Sequence, residues 1–208
     1  MKHRHETEIK LAVASPRAIR NRLAELGFRP VRARHFESNY LFDYPDQRLR
    51  KSRCLLRLRF AGSQGLLTFK GAPLRSRDYK IRREIETHVD DGHQVREIFR
   101  ILGMREVFCY EKFRTVYAPR GKRNVSEAPQ LVFDETPVGD FLELEGPERW
   151  IDEVARQLGY TKAEYITDSY AALYRRDCDA RGKKAGNMVF PKGGGQRQGA
   201  TRRRGVPA

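Results

Sequence analysis

The chain has 208 residues, of which 39% are hydrophobic and 33% charged, so it is long enough to bury the core of one domain. Its formal net charge of +15 points to polyanionic partners, and no apolar run approaches the length of a membrane span. The three cysteines form no CxxC pair, which argues against a disulfide framework and a thiolate zinc site. We therefore expect a cytoplasmic protein without membrane contact.

The positive charge is divided between two parts of the chain. Residues 177–208 contain eight Lys or Arg and two Asp, so a net charge of +9 remains on residues 1–176. The C-terminal part has little to bury, and we expect a disordered basic tail over 177–208 beside one folded domain over 1–176. The tail could contact polyanions such as RNA nonspecifically, although a solubilising end is the simpler interpretation.

The first predicted strand lies within residues 5–11. Alternate side chains of a strand point to opposite faces, so Glu6, Glu8 and Lys10 share one face while the apolar residues share the other. A short amphipathic helix follows, begun by Ser15-Pro16, and a second strand is expected within residues 28–43.

A hairpin is the next predicted unit. Residues 54–60 alternate apolar side chains with Arg57 and Arg59. After a turn at residues 62–65, the chain returns with Lys70 on the polar side of the second strand.

The remaining elements continue the same alternation. They are a strand at 78–88, a helix at 91–102, a strand at 104–118, strands at 131–134 and 141–145, a helix at 147–158 and a short helix at 169–176. Their polar faces carry Lys80, Arg82, Glu84, Glu86, Tyr110, Lys112, Arg114, Asp134, Glu143 and Glu145. Many neighbouring strands favour antiparallel pairing, which indicates an α+β fold built on one large sheet.

The polar faces are unusual because charges recur two residues apart on strand after strand. A solvated sheet face explains any single strand, but exposed faces normally mix charges with Thr, Ser and Gln. A closed barrel of about eight strands would turn these charges into its interior, with the apolar faces against helices outside. Buried carboxylates suit Mg²⁺ or Mn²⁺, and buried Arg and Lys suit phosphate oxygens. A ligand with several phosphates and a bound metal would satisfy both sets.

Six segments, in chain order, carry a family resemblance. They are Glu6-Thr7-Glu8-Ile9-Lys10, Leu56-Arg57-Leu58-Arg59, Thr68-Phe69-Lys70, Arg82-Arg83-Glu84-Ile85-Glu86, Glu111-Lys112-Phe113-Arg114 and Phe141-Leu142-Glu143-Leu144-Glu145. With Asp134 and the Asp168-Ser169-Tyr170 element, they resemble the CYTH domain proteins, or triphosphate tunnel metalloenzymes. That family includes class IV adenylate cyclases, thiamine triphosphatases and inorganic triphosphatases. The resemblance covers residues 3–176.

The resemblance implies a closed eight-stranded antiparallel β-barrel, the tunnel, with flanking helices. It further implies a Mg²⁺ or Mn²⁺ cofactor and a triphosphate substrate. The implied metal ligands are Glu6, Glu8, Asp134, Glu143 and Glu145, with Glu84 and Glu86 as ligands or as their support. The implied phosphate-binding residues are Lys10, Arg57, Arg59, Lys70, Arg82, Lys112 and Arg114. Among these residues, Glu8, Lys70 and Arg82 are expected to act in catalysis.

Three functions remain open from the sequence. Hydrolysis of tripolyphosphate, thiamine triphosphate or ATP is favoured because it requires only phosphate recognition. Cyclisation of ATP to cyclic AMP and pyrophosphate is a close alternative, yet it needs an adenine pocket, and Tyr40, Phe42 and Tyr110 are more typical of a core. A binder of polyphosphate or RNA without catalysis is less favoured, because the carboxylates would repel phosphate. An oligomer is possible.

Overall fold

The structure is a computed structural model that describes residues 4–61, 64–121 and 129–191. Its strands are β1 Arg4–Val13, β2 Phe28–Asp43, β3 Leu55–Ala61, β4 Gln64–Lys70, β5 Lys80–Val89, β6 Arg105–Pro119, β7 Gln130–Thr136 and β8 Gly139–Glu145. Its helices are α1 Pro16–Glu25, α2 Arg48–Lys51, α3 Gly92–Ile101, α4 Glu148–Gln157 and α5 Tyr170–Ala180, with a 3₁₀ turn at Lys162–Glu164. The predicted turn at 62–65 includes residues 62 and 63, which lie outside the described ranges.

The eight strands close into a barrel in the order β1-β5-β4-β3-β2-β6-β7-β8. Every neighbouring pair is antiparallel, and β1 closes the barrel because it pairs with β5 on one side and β8 on the other. In this register Glu8 lies opposite Lys80 of β5, and Lys10 lies opposite Glu143 of β8. The prediction of a closed antiparallel barrel with flanking helices is confirmed.

The outer face of the barrel carries the apolar core. Ile9 of β1 and Leu144 of β8 pack with Leu23 of α1 and Ile151 of α4, and all four side chains are fully buried. Ser15 begins α1 by accepting a hydrogen bond from the backbone N–H of Ala18, the usual way in which a helix N-terminus is satisfied. A second cluster beneath α3 contains Phe42, Leu58 and Met104. Because the apolar faces are covered outside, the alternate polar residues must face inward.

Helix α5 packs against side chains that point inward from β6 and β8. Its first residue, Tyr170, is buried, and its ring centroid lies 6.1 Å from that of Tyr110 and 5.7 Å from that of Phe141. Tyr170 and Ser169 therefore contribute to the inner wall of the barrel. No helix in the described part of the chain is long and apolar enough to cross a bilayer.

The expectation of a disordered tail from residue 177 is wrong for residues 177–191. Helix α5 continues to Ala180, and Met188 pairs with β6, with its N–H donating to the Cys109 carbonyl and its carbonyl accepting from the Glu111 N–H, each at 2.9 Å. The registered pairing of β7 with β6 begins only at Phe113, so this stretch of β6 backbone needs another partner. The Met188 side chain is fully buried. Residues 192–208 lie outside the described ranges, and the expectation for them stays a prediction.

Candidate active site

The barrel encloses a cavity of about 520 Å³ lined mainly by charged side chains. Among the described residues, its cationic lining consists of Lys10, Arg57, Arg59, Lys70, Lys80, Arg82, Lys112 and Arg114. Its carboxylate lining consists of Glu6, Glu8, Glu84, Glu86, Glu143 and Glu145. Eight cations therefore face six carboxylates, and the lining within the described residues has an excess of positive charge.

A first cluster joins β1, β4 and β5. Lys70 Nζ lies 2.5 Å from Glu6 Oε2, 3.2 Å from Glu84 Oε1 and 4.0 Å from Glu8 Oε2. Lys80 forms an ion pair with Glu8. Lys70 thus holds three carboxylates around one ammonium group.

The pKa values of two carboxyl groups in this cluster are shifted in opposite directions. Burial and the charge of Glu8 raise the pKa of Glu6 to about 10, so Glu6 holds its proton at neutral pH. Burial would also raise the pKa of Glu8, but the ammonium groups of Lys10 and Lys80 outweigh burial and hold that pKa well below its usual range. The cavity therefore contains one ionised and one protonated carboxyl two residues apart on β1.

A second cluster surrounds Asp134 on β7, whose side chain is fully buried. Asp134 Oδ2 accepts from Lys112 Nζ at 2.8 Å and from the Tyr170 hydroxyl at 2.8 Å, while Oδ1 accepts from Arg114 Nε at 2.7 Å. Arg114 also pairs with Glu143. Asp134 does not line the cavity, and its oxygens are occupied in fixing two cations at the wall.

A third cluster links β2, β3, β4 and β6. Arg57 donates to the Thr68 hydroxyl at 3.0 Å and to the Tyr110 hydroxyl at 3.4 Å. Arg59 Nε donates to Asn39 Oδ1 at 3.0 Å. Within the described residues, Nε of Arg57 and Nε of Arg82 are buried without a hydrogen-bond partner. These donors match the demand of phosphate oxygens for several hydrogen bonds.

The structure brings the sequence-predicted site residues to the cavity, apart from Asp134. Sequence reasoning gave no role to Lys80, which pairs with Glu8, or to Glu37 and Asn39, which are buried beside Arg59. Glu37 and Asn39 are spaced two residues apart on β2, so the alternation used for the other strands would have found them. Tyr170 belongs to the Asp168-Ser169-Tyr170 element of the resemblance, and its hydrogen bond to Asp134 depends on contact across the fold.

The cavity suits a divalent cation in the type of its donors. Carboxylate oxygens are the ligands that Mg²⁺ and Mn²⁺ prefer, and a cation beside Glu6 and Glu8 would oppose the burial and the Glu8 charge that keep Glu6 protonated. Within the described ranges, no three Asp, Glu, His or Cys side chains converge as a ready ligand set. Glu6 is paired with Lys70 and Glu8 with Lys80 instead.

Comparison with known proteins agrees with this architecture. The sequence model of the CYTH domain family matches residues 4–170. The chain belongs to the CYTH domain family. A candidate adenylate cyclase of Methanocaldococcus jannaschii is 30% identical over 178 residues, which cover 81% of this CYTH chain and 97% of the relative.

Solved structures share the CYTH fold of this chain. A candidate adenylate cyclase of Vibrio parahaemolyticus superimposes with a TM-score of 0.70 at 17% identity, over 83% of this chain and 98% of that one. A candidate adenylyl cyclase of Hippeastrum, described as having a dominant triphosphatase activity, gives a TM-score of 0.56 at 20% identity, over 86% and 97% of the two chains. At these identities the likeness concerns the fold alone.

Proposed function

We propose that this CYTH domain protein hydrolyses triphosphate substrates inside the barrel, with a divalent cation as cofactor. The observation that supports the proposal is the cavity of about 520 Å³ in which eight cations face six carboxyl groups. An interior of this composition is costly to bury unless a polyanion occupies it, since unpaired buried charges are strongly destabilising. A triphosphate with a divalent cation offers partners to both signs of charge.

The cations would bind the phosphates and stabilise the negative charge of the transferring group. Burial lowers the pKa of Lys70, but the charge of Glu8 and the further carboxyl groups around the ammonium outweigh burial and raise it, so Lys70 stays charged in the cavity. Arg57 and Arg82 each have a buried Nε that a phosphate oxygen could accept from. Fixed positive charge at the site of phosphoryl transfer is the main requirement of this chemistry.

The carboxylates would divide two tasks. Glu6, Glu8, Glu143 and Glu145 are the residues we propose to hold the cation, which when bound would add positive charge at the phosphate oxygens. Glu8 would also orient the attacking water, because its strongly lowered pKa keeps it ionised and able to accept a hydrogen bond, although it makes Glu8 a weak base. We propose Glu84 as support for Lys70 rather than as a ligand, given their ion pair at 3.2 Å. Asp134 would keep Lys112 and Arg114 in place.

Adenylate cyclase activity is the second candidate, and the 30% identical Methanocaldococcus jannaschii relative favours it by its name. Cyclisation would require the nucleoside to be held beside the triphosphate. Tyr40 and Phe42, considered for base stacking, belong to the apolar cluster beneath α3. Tyr110 faces the cavity, but its ring packs against Phe108 and Tyr170. Hydrolysis ranks first because it requires only that the phosphates be bound.

A product assay separates the two reactions. The full chain is incubated with tripolyphosphate, thiamine triphosphate or ATP in Mg²⁺ or Mn²⁺, and the products are resolved chromatographically. We expect orthophosphate release that disappears on addition of EDTA. If cyclic AMP and pyrophosphate are the main products from ATP, the proposal of hydrolysis is replaced by cyclisation. Full activity in EDTA would reject the proposal of a divalent cation cofactor.

A further inference from the structure

A second cavity of about 740 Å³ adjoins the first. The two share Leu55, Arg82 and Ser169 in their linings, so they meet where β3 and β5 face the start of α5. We call the second cavity the outer chamber. A substrate whose triphosphate lies in the barrel would place its remaining part at this junction.

The outer chamber combines apolar walls with arginines. Its larger apolar side chains are Leu41, Phe42, Leu49, Leu56, Val107 and Phe108. Its cationic side chains are Arg50, Arg53, Arg82, Arg105 and Arg175. Asp43 is the carboxylate among the described lining residues, and its oxygens accept from the backbone N–H groups of Tyr44, Leu49 and Arg50 at 2.7–3.0 Å. The carboxylate is thus used within the protein, and the arginines set the charge of the chamber.

Four of these arginines are exposed and available to a ligand. Across residues 4–61, 64–121 and 129–191, no ion pair joins Arg50, Arg53, Arg105 or Arg175 to a carboxylate. Arg82 stands at the junction with a buried Nε that has no hydrogen-bond partner among the described residues. Unpaired like charges around one cavity repel each other, and an anion inside the cavity would relieve that repulsion.

We propose that the outer chamber binds the organic part of the triphosphate substrate and that this part carries at least one further anionic group, as in a nucleoside triphosphate with an additional phosphate on the sugar. The inference rests on the proposed function of the barrel. The arginines select the anion, because guanidinium groups bind phosphate through paired hydrogen bonds. The apolar walls select an organic group, because an inorganic polyphosphate chain has no apolar surface to bury against them.

The test compares adenosine 3′-phosphate 5′-triphosphate with ATP. Dissociation constants of both are measured by titration calorimetry in EDTA, where no turnover is expected, for the wild-type full chain and for the double variant Arg105→Gln/Arg175→Gln. Arg156→Gln, on the outer face of α4, is the matched control. We expect wild type and control to bind the 3′-phosphorylated nucleotide about tenfold more tightly than ATP, a discrimination that charge-assisted hydrogen bonds can supply, and the double variant to lose most of the difference.

Equal affinity of the wild type for the two nucleotides would overturn the inference, as would a preference that the double variant retains. Tighter binding of a long inorganic polyphosphate than of the 3′-phosphorylated nucleotide would overturn the assignment of an organic group. Orthophosphate release from tripolyphosphate is measured on the same preparations. Its absence would reject the proposed function while leaving the nucleotide preference standing, so the two failures are distinguishable.

Discussion

Asp134→Asn tests whether Asp134 holds the cavity wall together. The replacement keeps the shape of the side chain but removes the charge that Lys112 and Arg114 share. Because the Asp134 side chain is fully buried, the loss leaves two desolvated cations with one anionic partner fewer. Removing one partner of a buried ion pair costs about 3–5 kcal/mol. That is a large fraction of the roughly 5–15 kcal/mol by which a domain is stable.

A gentler variant keeps this test informative if Asp134→Asn does not fold. Tyr170→Phe removes only the hydroxyl that donates to Asp134 at 2.8 Å, and a hydrogen bond to a charged group contributes about 1.5–3 kcal/mol. In the double variant we expect less than the sum of the two losses, because the hydroxyl no longer has a carboxylate partner.

The assay is urea unfolding followed by circular dichroism in EDTA. If Asp134 served only as a metal ligand, its replacement would not lower the free energy of unfolding in the absence of metal. If it pairs with cations of the chain itself, the replacement lowers that free energy. Glu153→Gln, which breaks an exposed pair with Arg156 on α4, is the control and should cost about 0–1 kcal/mol. If Asp134→Asn unfolds at the control's urea concentration, the wall is not held in this way.

Three further predictions concern other parts of the chain. Lys70→Met should lower kcat for tripolyphosphate by about 10²–10³-fold, because it removes a donor that stabilises negative charge. The exposed control Lys183→Met should leave kcat unchanged. Equal rates of the two variants in a phosphate-release assay would contradict the role of Lys70. Met188→Ala should lower the free energy of unfolding by about 2–5 kcal/mol, because the side chain is fully buried. A chain that ends at Pro191 should match wild type in urea unfolding. If the shortened chain loses more stability than Met188→Ala, the buried contact contributes little. Glu6 has a pKa raised to about 10 from 4.5, so its contribution to stability is present below pH 4.5 and is lost as the pH rises towards 10. Glu6→Gln should therefore gain stability relative to wild type between pH 5 and pH 9 in EDTA, and a difference that does not change with pH would reject the raised pKa.

The sequence determined the strands and which side of each strand is polar. Alternation at a period of two is a property of neighbouring residues, so Glu6, Glu8 and Lys10 could be assigned to one face without knowledge of their partners. Closure of the sheet could be inferred as well, because an open, solvated sheet face does not explain charged side chains on so many strands. The short helix at 169–176 was also found, although it extends to Ala180.

The tertiary structure alone decided which charges meet. Lys70 lies 64 residues from Glu6 in sequence. The two side chains meet because β4 and β1 are both neighbours of β5 in the closed barrel. The same closure buries Asp134 among Lys112, Arg114 and Tyr170, three contacts that its place in the sequence does not reveal. Composition assigned Met188 to a disordered basic tail, yet its backbone pairs with the edge of β6. Contacts between distant residues depend on strand order and register, and no local pattern of residue types contains that information.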